Sequence, residues 1–421
     1  MGVLMSDSQD EGRRAASNDR RDFLKATALL GAGAIVGQVV SSHEASAQTA
    51  EAPIAAPAAT ATGTQAPATH YGPADARGAT AEIYQKARAG LYPICRVCPQ
   101  CDGVACAGDY PGIGGIGSGM SFQNNYTDLQ KVKLKMRPLS GVGPLNKKPD
   151  TSTVLFGQKL SLPAMAAPIG GVIHTFGPKM SDTDFFEAII GGCADAGTLG
   201  SIGDSPAYSQ EVLQTFFGTI KRHDGRAFAG IKPRPQDNFL EMIKLAEANN
   251  AAMITIDIDS AARYGLDATP RTEVSSKTVE ELRQLVRATR LPLLIKGIMT
   301  PEDAMLAAQA GAAGIVVSNH GGRVLDHTPG TAAVLPAIAK AVGHKMVILV
   351  DGCVHYGVDV VKYLALGANG VLVGRHLLRA AYGGGREGVK MFMQTMRREM
   401  ETAMVMVGAA NIRGINPSML A

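Results

Sequence analysis

The chain has 421 residues, of which 46% are apolar, enough to bury a large core. Its 41 basic and 37 acidic side chains are spread along the chain and leave a net charge of only +4, with no Lys/Arg block of the nucleic-acid-binding kind in the body. Trp is absent and aromatics make up 5%, which argues against base-stacking platforms, so no nucleic-acid partner is expected.

Residues 1–47 read as a targeting peptide rather than as fold. A paired-arginine motif, Asp19-Arg20-Arg21-Asp22-Phe23-Leu24-Lys25, precedes an uncharged apolar run from Ala26 to about Val40. Ala45-Ser46-Ala47 then offers a small-x-small cleavage site before Gln48. The order matches a twin-arginine signal, which carries proteins across after folding, so a periplasmic or exported location is expected. The apolar run is about half to three-quarters of a bilayer span, and no stable membrane span is expected in the mature chain. Residues 48–79, rich in Ala, Pro and Thr, cannot bury enough surface to offset their ordering entropy and read as a disordered linker. The folded body is expected from near Thr80: a helical, Cys-rich segment over 80–150, then the catalytic domain over 151–421.

Cys95, Cys98, Cys101 and Cys106 pack four thiols into twelve residues. Three readings stand side by side. The spacing resembles iron–sulfur and zinc knuckles. An oxidising compartment would favour disulfides. The thiols are otherwise free or redox-active. Cys193 and Cys353 sit in apolar or Gly-rich settings and read as packing residues.

From Leu162 onward short apolar runs alternate with amphipathic stretches. Strands are expected at Leu162–Pro168, Thr198–Gly203, Ala227–Lys232, Met253–Asp259, Pro292–Gly297, Gly314–Ser318, Val347–Asp351 and Gly370–Gly374. Helices are expected at Thr183–Ala196, Gln210–Arg222, Asp237–Asn249, Val279–Thr289, Pro301–Ala310, Ala332–Val342 and Gly357–Leu366, with an eighth after Arg375. Eight βα repeats close a barrel, so the fold class is α/β, a (β/α)8 TIM barrel with an N-terminal Cys-rich extension. An open doubly wound sheet would want Gly-x-Gly-x-x-Gly after the first strand, and Pro168-Ile169-Gly170-Gly171 is not that. Barrel chemistry sits at the C-terminal strand ends. There lie Asp257 and Asp259, Lys296, Ser318-Asn319-His320, Asp351 and Arg375.

Ser318-Asn319-His320-Gly321-Gly322-Arg323-Val324-Leu325-Asp326, preceded one repeat earlier by Lys296-Gly297-Ile298, is the most specific run in the chain. It resembles the FMN-dependent 2-hydroxy-acid dehydrogenase and oxidase family, over roughly Phe122 to Tyr382. The cysteine segment resembles that of a variant group of the same family. The resemblance implies FMN as cofactor and a small 2-hydroxy acid as substrate, oxidised to the 2-oxo acid. The electron acceptor is left open, as is a homo-oligomeric state. It makes His320 the base, and an imidazole that titrates near neutral pH suits that task. Arg323 becomes the carboxylate clamp, through the planar two-pronged contact a guanidinium provides. A carboxylate on the fourth strand would stabilise the imidazolium, and Asp257 and Asp259 both resemble it. Lys296 would stand beside the flavin N1–O2 edge, where negative charge develops. Flavin contacts fall on Ala167, Pro168 and Ile169, on Lys296 and Ser318, and on Asp351, Gly352, Cys353, Gly374 and Arg375, the last two at a phosphate site.

The sequence departs from the family in several places. His355 stands where a phosphate arginine is usual, and Lys232 where the third strand has a tyrosine near the substrate. A second substrate arginine falls at Tyr264 or Leu266, with Arg263 close but matching neither, and His327 replaces a glycine. Tyr110 resembles an N-terminal tyrosine that contacts substrate. Two alternatives to 2-hydroxy-acid oxidation remain: a flavin-barrel isomerase of the type 2 isopentenyl diphosphate isomerase kind, and a non-catalytic FMN electron-transfer subunit.

Overall fold

Alternation along each strand decides the architecture. The computed structural model describes residues 74–109, 113–143, 148–205, 208–263 and 274–421. The targeting peptide and nearly all of the stretch read as linker lie outside them. Within the described residues an antiparallel hairpin, β1 (Thr153–Leu155) and β2 (Gln158–Leu160), precedes a parallel sheet. Phe156 and Gly157 turn the hairpin with φ of 51° and 75°, as a tight two-residue loop requires. The sheet strands are β3 (Ala164–Ala166), β4 (Gly200–Gly203), β5 (Ala227–Ile231), β6 (Ile254–Asp257), β7 (Leu293–Ile298), β8 (Gly314–Val317), β9 (Val347–Val350) and β10 (Gly370–Val373). Each stands where the sequence places it, with ends that differ by one or two residues.

Neighbours pair in chain order from β4 to β10, and β10 pairs back to β3 with Leu372 opposite Met165. The Ala166 N–H donates to the Leu199 carbonyl at 3.0 Å and joins the two edges. Inside lie Met165, Leu199, Phe228, Leu294, Val316, Leu349 and Leu372, closed off at the N-terminal end by Leu155 and Leu160 of the hairpin. The alternate residues, such as Ile254 and Ile256 or Ile315 and Val317, face the helices. A sheet buried on both faces explains why the strands read as apolar runs.

The helices are α1 (Ala74–Leu91), α2 (Met120–Lys131), α3 (Val172–Phe176), α4 (Asp182–Asp195), α5 (Gln210–Arg222), α6 (Gln236–Ala248), α7 (Val279–Arg287), α8 (Pro301–Ala310), α9 (Thr331–Val342), α10 (Gly357–Ala365) and α11 (Arg375–Val407). Their starts carry local signals. Ser181 caps α4 by accepting the Asp184 N–H, Thr278 and Glu281 make a reciprocal capping box on α7, and Pro301 opens α8 behind Thr300. Helix α1 begins at Ala74, inside the stretch read as linker, because its partner surface is far away in sequence. Gly383 of α11 lies so close to α1 that an added Cβ would sit 2.0 Å from the Ile83 carbonyl oxygen. Among the described residues no helix is long and apolar enough to cross a membrane.

Candidate active site

In seven of the eight sheet strands the inward residue that ends the apolar register is a candidate site residue. Ala167 follows Met165, Lys296 follows Leu294, Ser318 follows Val316, Asp351 follows Leu349 and Gly374 follows Leu372, each two residues on. The same parity aims Lys232 and Asp257 inward at the ends of β5 and β6. These groups meet at the C-terminal mouth of the barrel in a cleft of about 840 Å³, its open mouth included. Lys296, His320 and Arg323 line one part of it. Ala167, Pro168 and Ile169 line another, and Asp351, Gly352, Cys353, Gly374 and Arg375 a third. Ser318 lies behind this wall, donating to Asp351 Oδ2 at 2.8 Å and accepting the His320 N–H at 3.0 Å. Tyr110, Tyr264 and Leu266 fall outside the described residues.

Three consecutive left-handed residues, His320, Gly321 and Gly322, with φ of 57°, 64° and 78°, turn the loop after β8. Asn319 ties this turn to α2. Its Oδ1 accepts from Asn125 Nδ2 at 2.7 Å and from the Gly322 N–H, and its Nδ2 donates to the Ser121 carbonyl at 3.2 Å. Asp326 accepts from the Ser118 hydroxyl and N–H and from the Ser121 N–H. Sequence reasoning missed this bracing by α2. The signal available was Asn125, a polar residue on the same helical face as Phe122 and Leu129.

His320 Nδ1 lies 3.0 Å from both oxygens of Asp259. Asp259 is therefore the carboxylate partner, while Asp257 pairs with Lys232 Nζ at 3.1 Å. Strand β6 ends at Asp257, and the 3-10 turn Ile258–Arg263 swings Asp259 across to the β8 loop. Lys296 Nζ stands 3.3 Å from His320 Nδ1, 3.8 Å from Asp259 and 4.0 Å from Asp351. A single nitrogen cannot both donate to Asp259 and accept from Lys296. The shorter contact to the anion takes the Nδ1 proton, which leaves Nε2 as the acceptor.

Burial sets the signs. It pushes the His320 imidazole down to about 4, with Lys296 and Lys232 adding to the fall and Asp259 opposing it. Burial alone would discharge Lys296, but Asp259, Asp257 and Asp351 outweigh it and hold the ammonium well above its ordinary range. Burial likewise opposes the charge on Asp259, and His320 with Lys296 hold its carboxyl well below the usual range. Asp351 is raised, by burial first, against Lys296 and Ser318.

The walls fit a flavin mononucleotide. Asp351 Oδ1 is buried without a hydrogen-bond partner among the described residues, and a ligand hydroxyl would satisfy it. Gly374 stands at the N-terminus of the long helix α11, where a Cβ would meet only the Ala167 Cβ at 3.7 Å, so a phosphate can approach the backbone there. Arg375 adds charge. Its Nε and Nη2 donate to the Ile113 and Gly321 carbonyls at 2.8 Å each, and its guanidinium lies 3.8 Å over the Phe122 ring. His355 does not line the cleft; it stacks on Tyr356 and His376 and meets the Tyr84 hydroxyl at 3.1 Å.

The four-cysteine segment packs against Arg379 of α11. Cys95, Cys98, Cys101 and Cys106 are all free, and among the described residues no group of three or more His, Cys, Asp or Glu is arranged as a metal-ligand set. Two of the four sulfurs meet a buried cation. Arg379 Nη2 lies 3.5 Å from Cys95 Sγ and 3.2 Å from Cys101 Sγ. Arg88 holds the turn from the other side through the Arg96 and Val97 carbonyls.

Comparison with known proteins agrees with this site. The family model described as FMN-dependent dehydrogenase matches residues 112–275 and 263–421. The chain belongs to that family. A 2-hydroxyacid oxidase of Dictyostelium discoideum is 46% identical over 324 residues, covering 72% of this chain and 82% of that protein. The glycolate oxidase of Spinacia oleracea is 32% identical, over 65% of this chain and 80% of its own length. A solved mandelate oxidase with benzoyl-formic acid superposes with a TM-score of 0.65 at 28% identity, covering 81% of this chain and 97% of that one. The protein is therefore an FMN-dependent oxidoreductase of the 2-hydroxy-acid-oxidising family.

Proposed function

We propose that the chain oxidises a small 2-hydroxy acid to the 2-oxo acid, with His320 as proton acceptor and Arg323 as carboxylate clamp. One observation carries the reading: the His320 imidazole, held by Asp259, shares a cleft wall with Arg323 and Lys296. Arg323 takes the substrate carboxylate through two hydrogen bonds and sets the carbinol toward His320. The hydroxyl proton passes to His320 Nε2, and Asp259 stabilises the imidazolium that results. Lys296 keeps a fixed positive charge where negative charge gathers. FMN, when bound, would supply the acceptor for the carbinol hydrogen and its electron pair. An electron-transfer subunit would need neither the proton acceptor nor the carboxylate clamp. Small 2-hydroxy acids added anaerobically to the purified holoprotein, with flavin absorbance followed, test the reading. At least one should bleach the flavin; a panel with none that does overturns it.

The proposal includes export. Residues 1–47 carry the paired arginines, apolar run and cleavage site in the order of a twin-arginine signal, and the mature protein works outside the cytoplasm.

A further inference from the structure

Lys232 is unlike the other groups at the barrel mouth. Its parity points it inward, yet it does not reach the cleft wall. Its Nζ lies 3.1 Å from Asp257 Oδ2 and 3.0 Å from Ser260 Oγ, and the lysine and carboxylate side chains are only 13% and 4% exposed. Its backbone is held as firmly. The Lys232 N–H donates to Asp204 Oδ2 at 3.1 Å, and Arg234 grips the same carboxylate through Nε and Nη2 at 2.8 and 2.6 Å. A bidentate clamp thus fixes the strand end that carries the ammonium.

Asp257 and Asp259 lie two residues apart on one chain, and both act on Lys296, the ammonium beside the base. A buried carboxylate without a cation is costly, and a bared Asp257 would compete with Asp259 for the imidazole and for Lys296. We propose that Lys232 is a positioning residue: by tying Asp257 to the β5 side it assigns Asp259 alone to orient His320. This rests on the reading of His320 as the proton acceptor. The charged groups that act on His320 are Asp259 from the turn after β6, Lys296 from β7 and Lys232 at the end of β5, while Asp257 pairs with Lys232 and Asp351 with Lys296. Arg323 follows on the same loop, and Arg375 of α11 reaches that loop through the Gly321 carbonyl. Lys232 is among those that disfavour the imidazolium.

The signs can be worked out. Lys232→Met removes a cation and bares an anion, and both changes favour the imidazolium. Lys232→Met combined with Asp257→Asn removes one charge of each sign and leaves no unpaired buried charge. The test is the His320 titration midpoint in the oxidised holoprotein, by carbon NMR of labelled histidine. His320→Asn identifies the signal among the nine histidines. The midpoint should rise by about one unit or more in Lys232→Met, the effect expected of a close charge. It should return toward the parent in the double variant, with FMN content unchanged in both. An unmoved midpoint in Lys232→Met overturns the proposal. So does a double variant shifted as far as the single one, because Asp257 would then not be what Lys232 restrains. If Lys232→Met fails to fold, the double variant decides: it must fold, bind FMN and titrate near the parent. Because the readout needs no substrate, failure here is distinct from failure of the proposed reaction.

Discussion

Burial lowers the His320 imidazole to about 4, although Asp259 pulls the other way. Three consequences follow at this residue. The neutral, proton-accepting form persists well below the ordinary histidine range near 6.5, so the acid limb of flavin reduction should fall nearer pH 4 to 5 than pH 6.5. Asp259→Asn should move that limb lower, since it deletes the neighbour that favours the imidazolium, and should slow the reaction as well. Stability has the same sign: a group depressed on folding stabilises fully above its unfolded value, and that contribution is lost as pH falls from about 6.5 toward 4. His320→Ala should keep FMN and cut flavin reduction by at least about 10²-fold. Stopped-flow reduction across pH checks all of this, and a limb at 6.5 that rises in Asp259→Asn would contradict the electrostatics. The ambiguity between Asp257 and Asp259 also belongs to this scale. The strand period puts both on the inward side, so parity cannot separate them. Only the turn Ile258–Arg263, which no residue in the sequence announces, sends them to different partners.

Elements were legible where one surface governs them. Each sheet strand except β3, which ends on Ala167, ends its apolar register on a polar or glycine residue, and each of the helices α4 to α10 carries a period of its own, so repeats and strand-end residues could be read locally. The hairpin plug, the start of α1 and the bracing by α2 could not, because each depends on a partner far along the chain. The loop after β8 shows the limit. Gly321 and Gly322 read as a turn, but not as a turn pressed on a helix. An added Cβ at Gly322 would sit 2.5 Å from the Phe122 backbone nitrogen, at a φ of 78°. No rotamer relieves a backbone clash. Gly322→Ala should therefore destabilise the fold by about 1–3 kcal/mol and displace His320. Gly374 is the control, since its added Cβ meets only a methyl group at 3.7 Å. Gly374→Ala should leave the melting temperature of the flavin-free protein near the parent and weaken FMN binding. Thermal melts with FMN titrations separate the two. Equal destabilisation by both would mean that the glycines serve the chain rather than the cofactor.

At the scale of the whole molecule the cleft needs both ends of the chain. Strand β3 pairs with β10, so Ala167 and Gly374 become neighbours only when the first and last repeats have met. Such contacts carry a high loop-closure cost and form late. Arg375 then reaches back to Ile113 and Gly321, and Arg379 to Cys95 and Cys101, which closes the extension over the same wall. The parts that would hold FMN are thus assembled only in the finished fold. A chain threaded unfolded across a membrane would have to find its cofactor on the far side. The proposed twin-arginine route avoids that difficulty, because cofactor and barrel cross together. Arg20→Lys with Arg21→Lys should trap an uncleaved, FMN-loaded precursor in the cytoplasm, while the parent yields a mature form beginning near Gln48 that carries flavin outside. Fractionation with flavin fluorescence and N-terminal sequencing reads both outcomes. Mature, flavin-bearing protein outside the cytoplasm of a host that has only the unfolded-chain route would show that assembly can follow transport, and the proposed order would be wrong.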